Sequence, residues 1–139
     1  MSVVKASCLC GEVKVNVASQ NNSVGACHCG ICRKWAGGPF MAIDCGTDVS
    51  FENSDNISVY SSAEWVERGF CKNCGSHLFY RLKQAQQYFI PAGLFDNADN
   101  FIFDHQVFVD NKPHYYDFAN HTRDMTEAEV FAEFGSSEN

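Results

Sequence analysis

Cys27-His28-Cys29-Gly30-Ile31-Cys32-Arg33-Lys34-Trp35-Ala36-Gly37-Gly38 packs three cysteines into six residues and follows them with a short stretch ended by two glycines. Gly30–Ala36 reads as a short helix, with Gly37 and Gly38 placed to stop it. Zinc takes four soft or borderline ligands, and three protein ligands with one open position are the pattern of a catalytic site. Three thiolates give the metal much negative charge. Such a site is a weak Lewis acid toward water but a good one for a fourth sulfur, because zinc binds thiolate and lowers the thiol pKa. The chemistry it favours is making or breaking bonds at a bound thiol's sulfur. Two other readings stay open at this point. His28 could complete the set and make the site structural, although its place between two ligands gives it poor reach to the same metal. The cysteines could also form disulfides or redox dithiols.

Working outward, Cys8 and Cys10 form C-x-C, and Cys71 and Cys74 form C-x-x-C. Gly11 follows the first pair and Gly75 the second. A C-x-x-C turn aims two sulfurs at one point and needs two more ligands, and Cys8 and Cys10 are its natural partners. The expectation is a closed four-cysteine zinc site, Cys8, Cys10, Cys71 and Cys74, which ties a long loop and so constrains the unfolded chain. A disulfide within C-x-C would be strained. Cys45 stands alone and reads as a small buried hydrophobe.

The chain has 139 residues, 45% of them hydrophobic and 12 of them Phe, enough for one domain with a real core. We expect a single zinc-binding domain over residues 1–139, with its core at about 7–116. A net charge of -7 and the lack of a basic patch argue against a nucleic-acid partner. The start of the chain has no apolar signal region, and no apolar run approaches a membrane span. A cytoplasmic protein with no membrane association is expected, and in a reducing cytosol clustered cysteines favour metal over disulfide.

The remaining elements read as mainly β. Val13, Val15 and Val17 alternate along Glu12–Ala18, as in a half-buried strand. Pro39–Asp44, Ile57–Ser61, Val66–Phe70, Leu78–Arg81, Tyr88–Pro91 and Gln106–Val109 are short, rich in β-branched or aromatic residues, and separated by turn formers. A C-terminal helix begins at Thr126, where Thr126 and Glu129 form a capping box. Val130, Phe131 and Phe134 follow on one side, and a frayed tail is expected over Gly135–Asn139.

Three stretches carry a family resemblance: Cys8–Val13, Cys27–Gly38 and Arg68-Gly69-Phe70-Cys71-Lys72-Asn73-Cys74-Gly75-Ser76-His77-Leu78. Together they resemble the glutathione-dependent formaldehyde-activating enzyme family, whose domain the centromere protein V proteins share. The resemblance implies a zinc-containing β-tent fold, with two zinc ions per chain. It implies that Cys8, Cys10, Cys71 and Cys74 hold the structural zinc and Cys27, Cys29 and Cys32 the catalytic one. It also implies a reaction: joining a thiol, typically glutathione, to formaldehyde or another small aldehyde, or the reverse carbon–sulfur cleavage. A non-catalytic zinc-binding module and an enzyme using a different thiol are the alternatives. Arg33 and Lys34 follow the last ligand and are candidates to bind glutathione carboxylates, or else to offset thiolate charge or simply lie in solvent. Arg68 is expected to serve the charge of the four-cysteine site. Trp35 and Phe40 are candidates for a pocket wall or for core, and His77 and His105 for proton transfer or for structure.

Overall fold

In the computed structural model, residues 4–18 and 21–134 are described. The strands in chain order are β1 (Val4–Ser7), β2 (Lys14–Val17), β3 (Ser23–Cys27), β4 (Phe40–Gly46), β5 (Val49–Glu52), β6 (Ile57–Ala63), β7 (Val66–Cys71), β8 (His77–Leu82), β9 (Gln87–Pro91), β10 (Ile102–Val107) and β11 (Arg123–Met125). Among the described residues the α-helices are α1 (Gly30–Ala36) and α2 (Glu127–Phe134). Neither is long and apolar enough to cross a membrane. The architecture is mainly β, as the sequence suggests, with a helix near the C-terminus and a short helix that starts within the Cys27–Cys32 cluster and includes Cys32, rather than following the cluster. The tail expected to fray, Gly135–Asn139, lies outside the described residues. Contacts gather the chain into two compact units, residues 1–22 with 42–100, and 23–41 with 101–139.

The first unit contains an antiparallel three-stranded sheet in the order β1-β2-β5. The alternation along β2 is why it forms there. Val13, Val15 and Val17 are buried, whereas Lys14 is exposed. Fully burying a valine contributes roughly 1.5–3 kcal/mol, so a one-residue slip would forfeit all three. The strands β4, β9, β8, β7 and β6 follow one another in antiparallel pairs. Ile43, Leu78, Ile90 and Val66 are fully buried among them. Phe79 packs edge-on against Tyr88 and tilted against Phe51, at centroid separations of 5.1 and 5.3 Å. Cys45 is buried on β4, in keeping with its reading as a small hydrophobe, and burial followed by the nearby Asp44 charge pushes its thiol up to about 12.

In the second unit β10 pairs in parallel with both β3 and β11. Along β3, Val24, Ala26 and Cys27 are buried. The capping box forms as expected: Thr126 N–H donates to Glu129 Oε1 at 2.8 Å, and Glu129 N–H donates to Thr126 Oγ1 at 3.3 Å. Phe131 of α2 meets Phe108 at 5.8 Å, edge to face. Four strands escaped the sequence reading. β1, β3, β5 and β11 are three to five residues long, and none carries three apolar residues in alternation as Val13, Val15 and Val17 do. The start of β10, Ile102-Phe103-Asp104-His105, has exposed and half-buried residues only, so no apolar run marked it.

Candidate metal centres

Two cysteine groups converge, each inside one of the two units. Cys8, Cys10, Cys71 and Cys74 form the first and Cys27, Cys29 and Cys32 the second, and the sulfurs of each group lie within 4.8 Å of one another. The cysteine pairing expected from spacing is therefore the pairing the fold makes.

The four-cysteine group sits where two turns face each other. Gly11 N–H returns to the Cys8 carbonyl at 3.0 Å and Gly75 N–H to the Cys71 carbonyl at 2.8 Å. Both glycines have φ near +80° (81° and 79°), a backbone region that costs other residues energy. Leu9 N–H donates to Ser76 Oγ at 3.0 Å and joins the two turns. The sulfur separations are 3.6 Å for Cys8–Cys10 and 3.8 Å for Cys10–Cys71. A disulfide needs about 2.05 Å. Four thiolates about 2.3 Å from a central zinc stand about 3.8 Å apart along each edge of the tetrahedron. The donor set thus fits a metal and does not fit disulfides. Polar hydrogens point at the sulfurs: Val13 N–H at 3.3 Å from Cys8 Sγ and Asn56 Nδ2 at 3.6 Å from Cys71 Sγ. The Ser76 hydroxyl lies 3.2 Å from Cys74 Sγ, and it is the first cause that brings the Cys74 thiol down to about 5.

Arg68, three positions before Cys71 on β7, is buried. Its Nε donates to Ser62 Oγ at 3.1 Å and its guanidinium lies 5.2 Å from the Tyr80 ring centre. His77 is half-buried, and burial and then the Arg68 charge lower its pKa.

The three-cysteine group is built where β3 ends and α1 begins. Cys27 closes the strand and is buried. Cys29 is the N-cap of α1, and its sulfur accepts from Cys32 N–H at 3.2 Å, the task a Ser or Asp oxygen usually performs. Cys32 is the buried residue of the helix, and Gly37 N–H closes the last turn on the Arg33 carbonyl at 2.8 Å. Contact with Cys29, then with Cys32, pushes the Cys27 thiol well up. Three sulfurs crowded this closely resist losing their protons together unless a cation compensates, which again fits a metal.

His28, between two of these cysteines, is turned away from them. It is fully buried, its Nε2 is 2.7 Å from Gln106 Oε1, and its Nδ1 is 2.9 Å from the Tyr116 hydroxyl. Both ring nitrogens are engaged, so the reading of His28 as a fourth ligand fails. Among the described residues no other His, Cys, Asp or Glu joins the group. Arg33 is half-buried, and its Nε donates to the His28 carbonyl at 3.0 Å, which braces the loop; Lys34 is exposed. Trp35 packs against Phe40 at 5.3 Å. His105 lies beside Ser23 and Asp104, but Ser23 Oγ at 3.3 Å and Asp104 Oδ1 at 2.8 Å both meet its Nδ1. The three residue types of a hydrolytic triad are present without the relay, which needs the two ring nitrogens to face different partners.

Sequence reasoning missed Gln106, Tyr116 and Ser76. Ser76 lies in the stretch after Gly75 and Gln106 in a predicted strand, but nothing in the local pattern says that either reaches a cysteine loop.

The family model described as glutathione-dependent formaldehyde-activating enzyme matches residues 3–111. A Schizosaccharomyces pombe protein named as an uncharacterized lyase is 39% identical over 131 residues, covering 94% of this chain and 96% of that one. Putative glutathione-dependent formaldehyde-activating enzymes of Aspergillus flavus and Halomonas elongata are 35% and 33% identical. Each of those matches covers 55% of this chain, and they span 42% and 55% of the relatives' own lengths. A crystal structure of a Rhodobacter sphaeroides protein shares the fold with a TM-score of 0.60 at 20% identity, covering 69% of this chain and 91% of that one. The chain belongs to the glutathione-dependent formaldehyde-activating enzyme family.

Proposed function

We infer that the protein is a zinc-dependent carbon–sulfur lyase that joins a small thiol, glutathione first, to formaldehyde or another small aldehyde, and splits the adduct in reverse. The observation that carries this reading is the three-sulfur group itself: Cys27, Cys29 and Cys32 converge while His28 is engaged elsewhere. Cys8, Cys10, Cys71 and Cys74 would hold a closed structural zinc, and Cys27, Cys29 and Cys32 a second with one position open. A zinc bound there supplies a place where a substrate thiol ionises near neutral pH.

The chain's own residues supply positioning. Arg33 fixes the ligand loop through its Nε. Its terminal nitrogens, with exposed Lys34, are the groups we assign to a substrate carboxylate. In the forward direction the thiol sulfur bonds to the carbonyl carbon, the carbonyl π pair moves to oxygen, and the thiol's proton ends on that oxygen. Holding two small reactants together is most of what so easy an addition needs.

Calorimetric titration of zinc-loaded protein with reduced glutathione, with S-methylglutathione as control, tests the reading. Saturable binding that requires the free thiol, lost in Cys29→Ser, supports it. Two zinc ions per chain with no glutathione binding removes glutathione. One observation favours a different thiol as the second reading: the relatives named for glutathione match over only about half their lengths. Binding of cysteine or another small thiol in the same titration would select it.

A further inference from the structure

Behind the Cys27–Cys32 loop runs a chain of four hydrogen bonds whose direction can be read from one end. Asp124 is an exposed carboxylate and only accepts, so Thr122 Oγ1 donates to it at 2.6 Å. The Thr122 oxygen then accepts, and Gln106 Nε2 donates to it at 2.9 Å. That fixes the amide orientation and turns Gln106 Oε1 toward His28, 2.7 Å from Nε2. His28 therefore carries its proton on Nε2, and its Nδ1 accepts from the Tyr116 hydroxyl at 2.9 Å. Every donor points the same way, from Tyr116 to Asp124. The two central members are 0% and 8% exposed, so they hold these bonds away from competing water. Tyr116 is itself fastened: Lys112 lies 5.2 Å from its ring centre and pairs with Asp117 at 2.7 Å.

We propose that Tyr116, Gln106 and Asp124 are positioning residues for the three-cysteine centre, acting through His28. The inference rests on the reading of Cys27, Cys29 and Cys32 as metal ligands. His28 is bonded in the chain to both Cys27 and Cys29, so the orientation of its ring sets the path of the backbone that aims the two sulfurs. Arg33 Nε holds the same residue as well, donating to its carbonyl at 3.0 Å. The segment from Lys112 to Asp124 thereby becomes part of the ligand loop's support, although none of it is a ligand. The polarity of the chain makes a ranked prediction. Removing an atom bonded directly to His28 acts most strongly. Removing the Asp124 anchor acts less, because Thr122 and Gln106 can still orient each other.

The test is metal binding by the full chain, read by chelator competition for each of two equivalents and by the ligand-field spectrum of the cobalt(II)-loaded protein. Tyr116→Phe and Gln106→Leu are expected to weaken the three-sulfur equivalent about tenfold or more, the usual effect of removing a partner behind a metal site. They should shift its cobalt spectrum and leave the four-sulfur equivalent unchanged. Gln106→Glu keeps an oxygen for His28 Nε2–H and should restore most of the affinity, and Asp124→Asn should move it least. If Gln106→Leu does not fold, Tyr116→Phe, which removes one oxygen from a half-buried side chain, still decides the matter. Wild-type protein that binds two equivalents, with variants matching its affinity and spectrum, overturns this inference alone. Variants that weaken both equivalents in parallel also overturn it, since the chain would then serve general stability. Wild-type protein that takes up one equivalent sinks the metal reading and this inference with it.

Discussion

Cys10 meets Cys71 across 61 positions of sequence, whereas Cys27, Cys29 and Cys32 fall within six consecutive residues. Both groups gather their sulfurs within 4.8 Å of one another, but they solve different problems. Closing a loop of that length costs roughly 3.6 kcal/mol of chain entropy before any contact forms, against about 1.6 kcal/mol for a six-residue loop. The first group must therefore draw on something that favours closure, and a metal bound by four thiolates contributes that directly as folding free energy. The second is already assembled by a strand end, a helix cap and the buried His28. It closes no long loop, so a metal held there would be left free for the chemistry proposed above.

The largest expected effect breaks this contrast or confirms it. Cys71→Ser should destabilise the protein by several kcal/mol, because an incomplete tetrahedron forfeits much of the metal's contribution. Cys29→Ser should leave thermal unfolding nearly unchanged. Serine is itself a good N-cap, so the substitution removes a ligand while keeping the cap, whose loss would cost about 1 kcal/mol. The checks are circular-dichroism melts with metal counts for both variants. If Cys29→Ser melts as low as Cys71→Ser, the second centre is structural and the proposed reaction loses its site.

A smaller pair of substitutions sharpens the same contrast away from the sulfurs. An added Cβ at Gly69 would stand 2.4 Å from the Phe79 ring, and one at Gly25 2.1 Å from His105 Nε2. The distances alone rank Gly25 as worse. The surroundings reverse the order. Phe79 is 4% exposed and wedged among Phe51 and Tyr88, so it cannot retreat, and Gly69→Ala should cost about 1–3 kcal/mol. The His105 side chain is 28% exposed and can swing outward, giving up its contacts with Asp104 and Ser23, for roughly 1 kcal/mol. Denaturant melts of the two variants decide the order, and an equal or larger loss for Gly25→Ala would show that His105 is held more firmly than its exposure implies.

Much of this contrast was legible in the sequence, and the reason is local. The seven clustered cysteines, the glycines after Cys10 and Cys74, the helix over Gly30–Ala36 and the Thr126–Glu129 box all announce themselves within five residues or so. Caps and the C-x-C and C-x-x-C halves of a metal site are short-range chemistry, so short-range patterns reveal them, and the need for four ligands joins the two halves across 61 positions. What stayed hidden lies far apart along the chain. His28 and Gln106 are 78 positions apart, and His28 and Tyr116 88. No periodicity connects a buried histidine to a glutamine on a parallel strand. That pairing exists only because β3 and β10 run side by side in register, Ala26 opposite Gln106. The short strands β1, β5 and β11 were missed for a related reason: a partner strand, not their own pattern, makes them strands.

Cys45 gives the smallest effect and a control for the other seven cysteines. It is 2% exposed, and its thiol is pushed up to about 12 by burial first and the Asp44 charge second. A thiol in that state is neither nucleophile nor ligand near neutral pH. In native protein treated with a chelator, alkylation should reach the clustered cysteines and leave Cys45 unmodified until the chain unfolds. Replacing it with alanine removes one buried sulfur and should cost about 1 kcal/mol at pH 7. The sign of the pH dependence follows from the direction of the shift. The folded state holds the neutral thiol while the unfolded state ionises near its ordinary value of 9.0, so this group's contribution is complete below that pH and is lost progressively as pH rises toward about 12. The stability gap between wild type and Cys45→Ala should therefore narrow over that range. A gap that stays constant, or a Cys45 that alkylates as readily as Cys29, would mean that this thiol is reachable in the native fold and that the division between metal-holding and merely buried cysteines has been drawn in the wrong place.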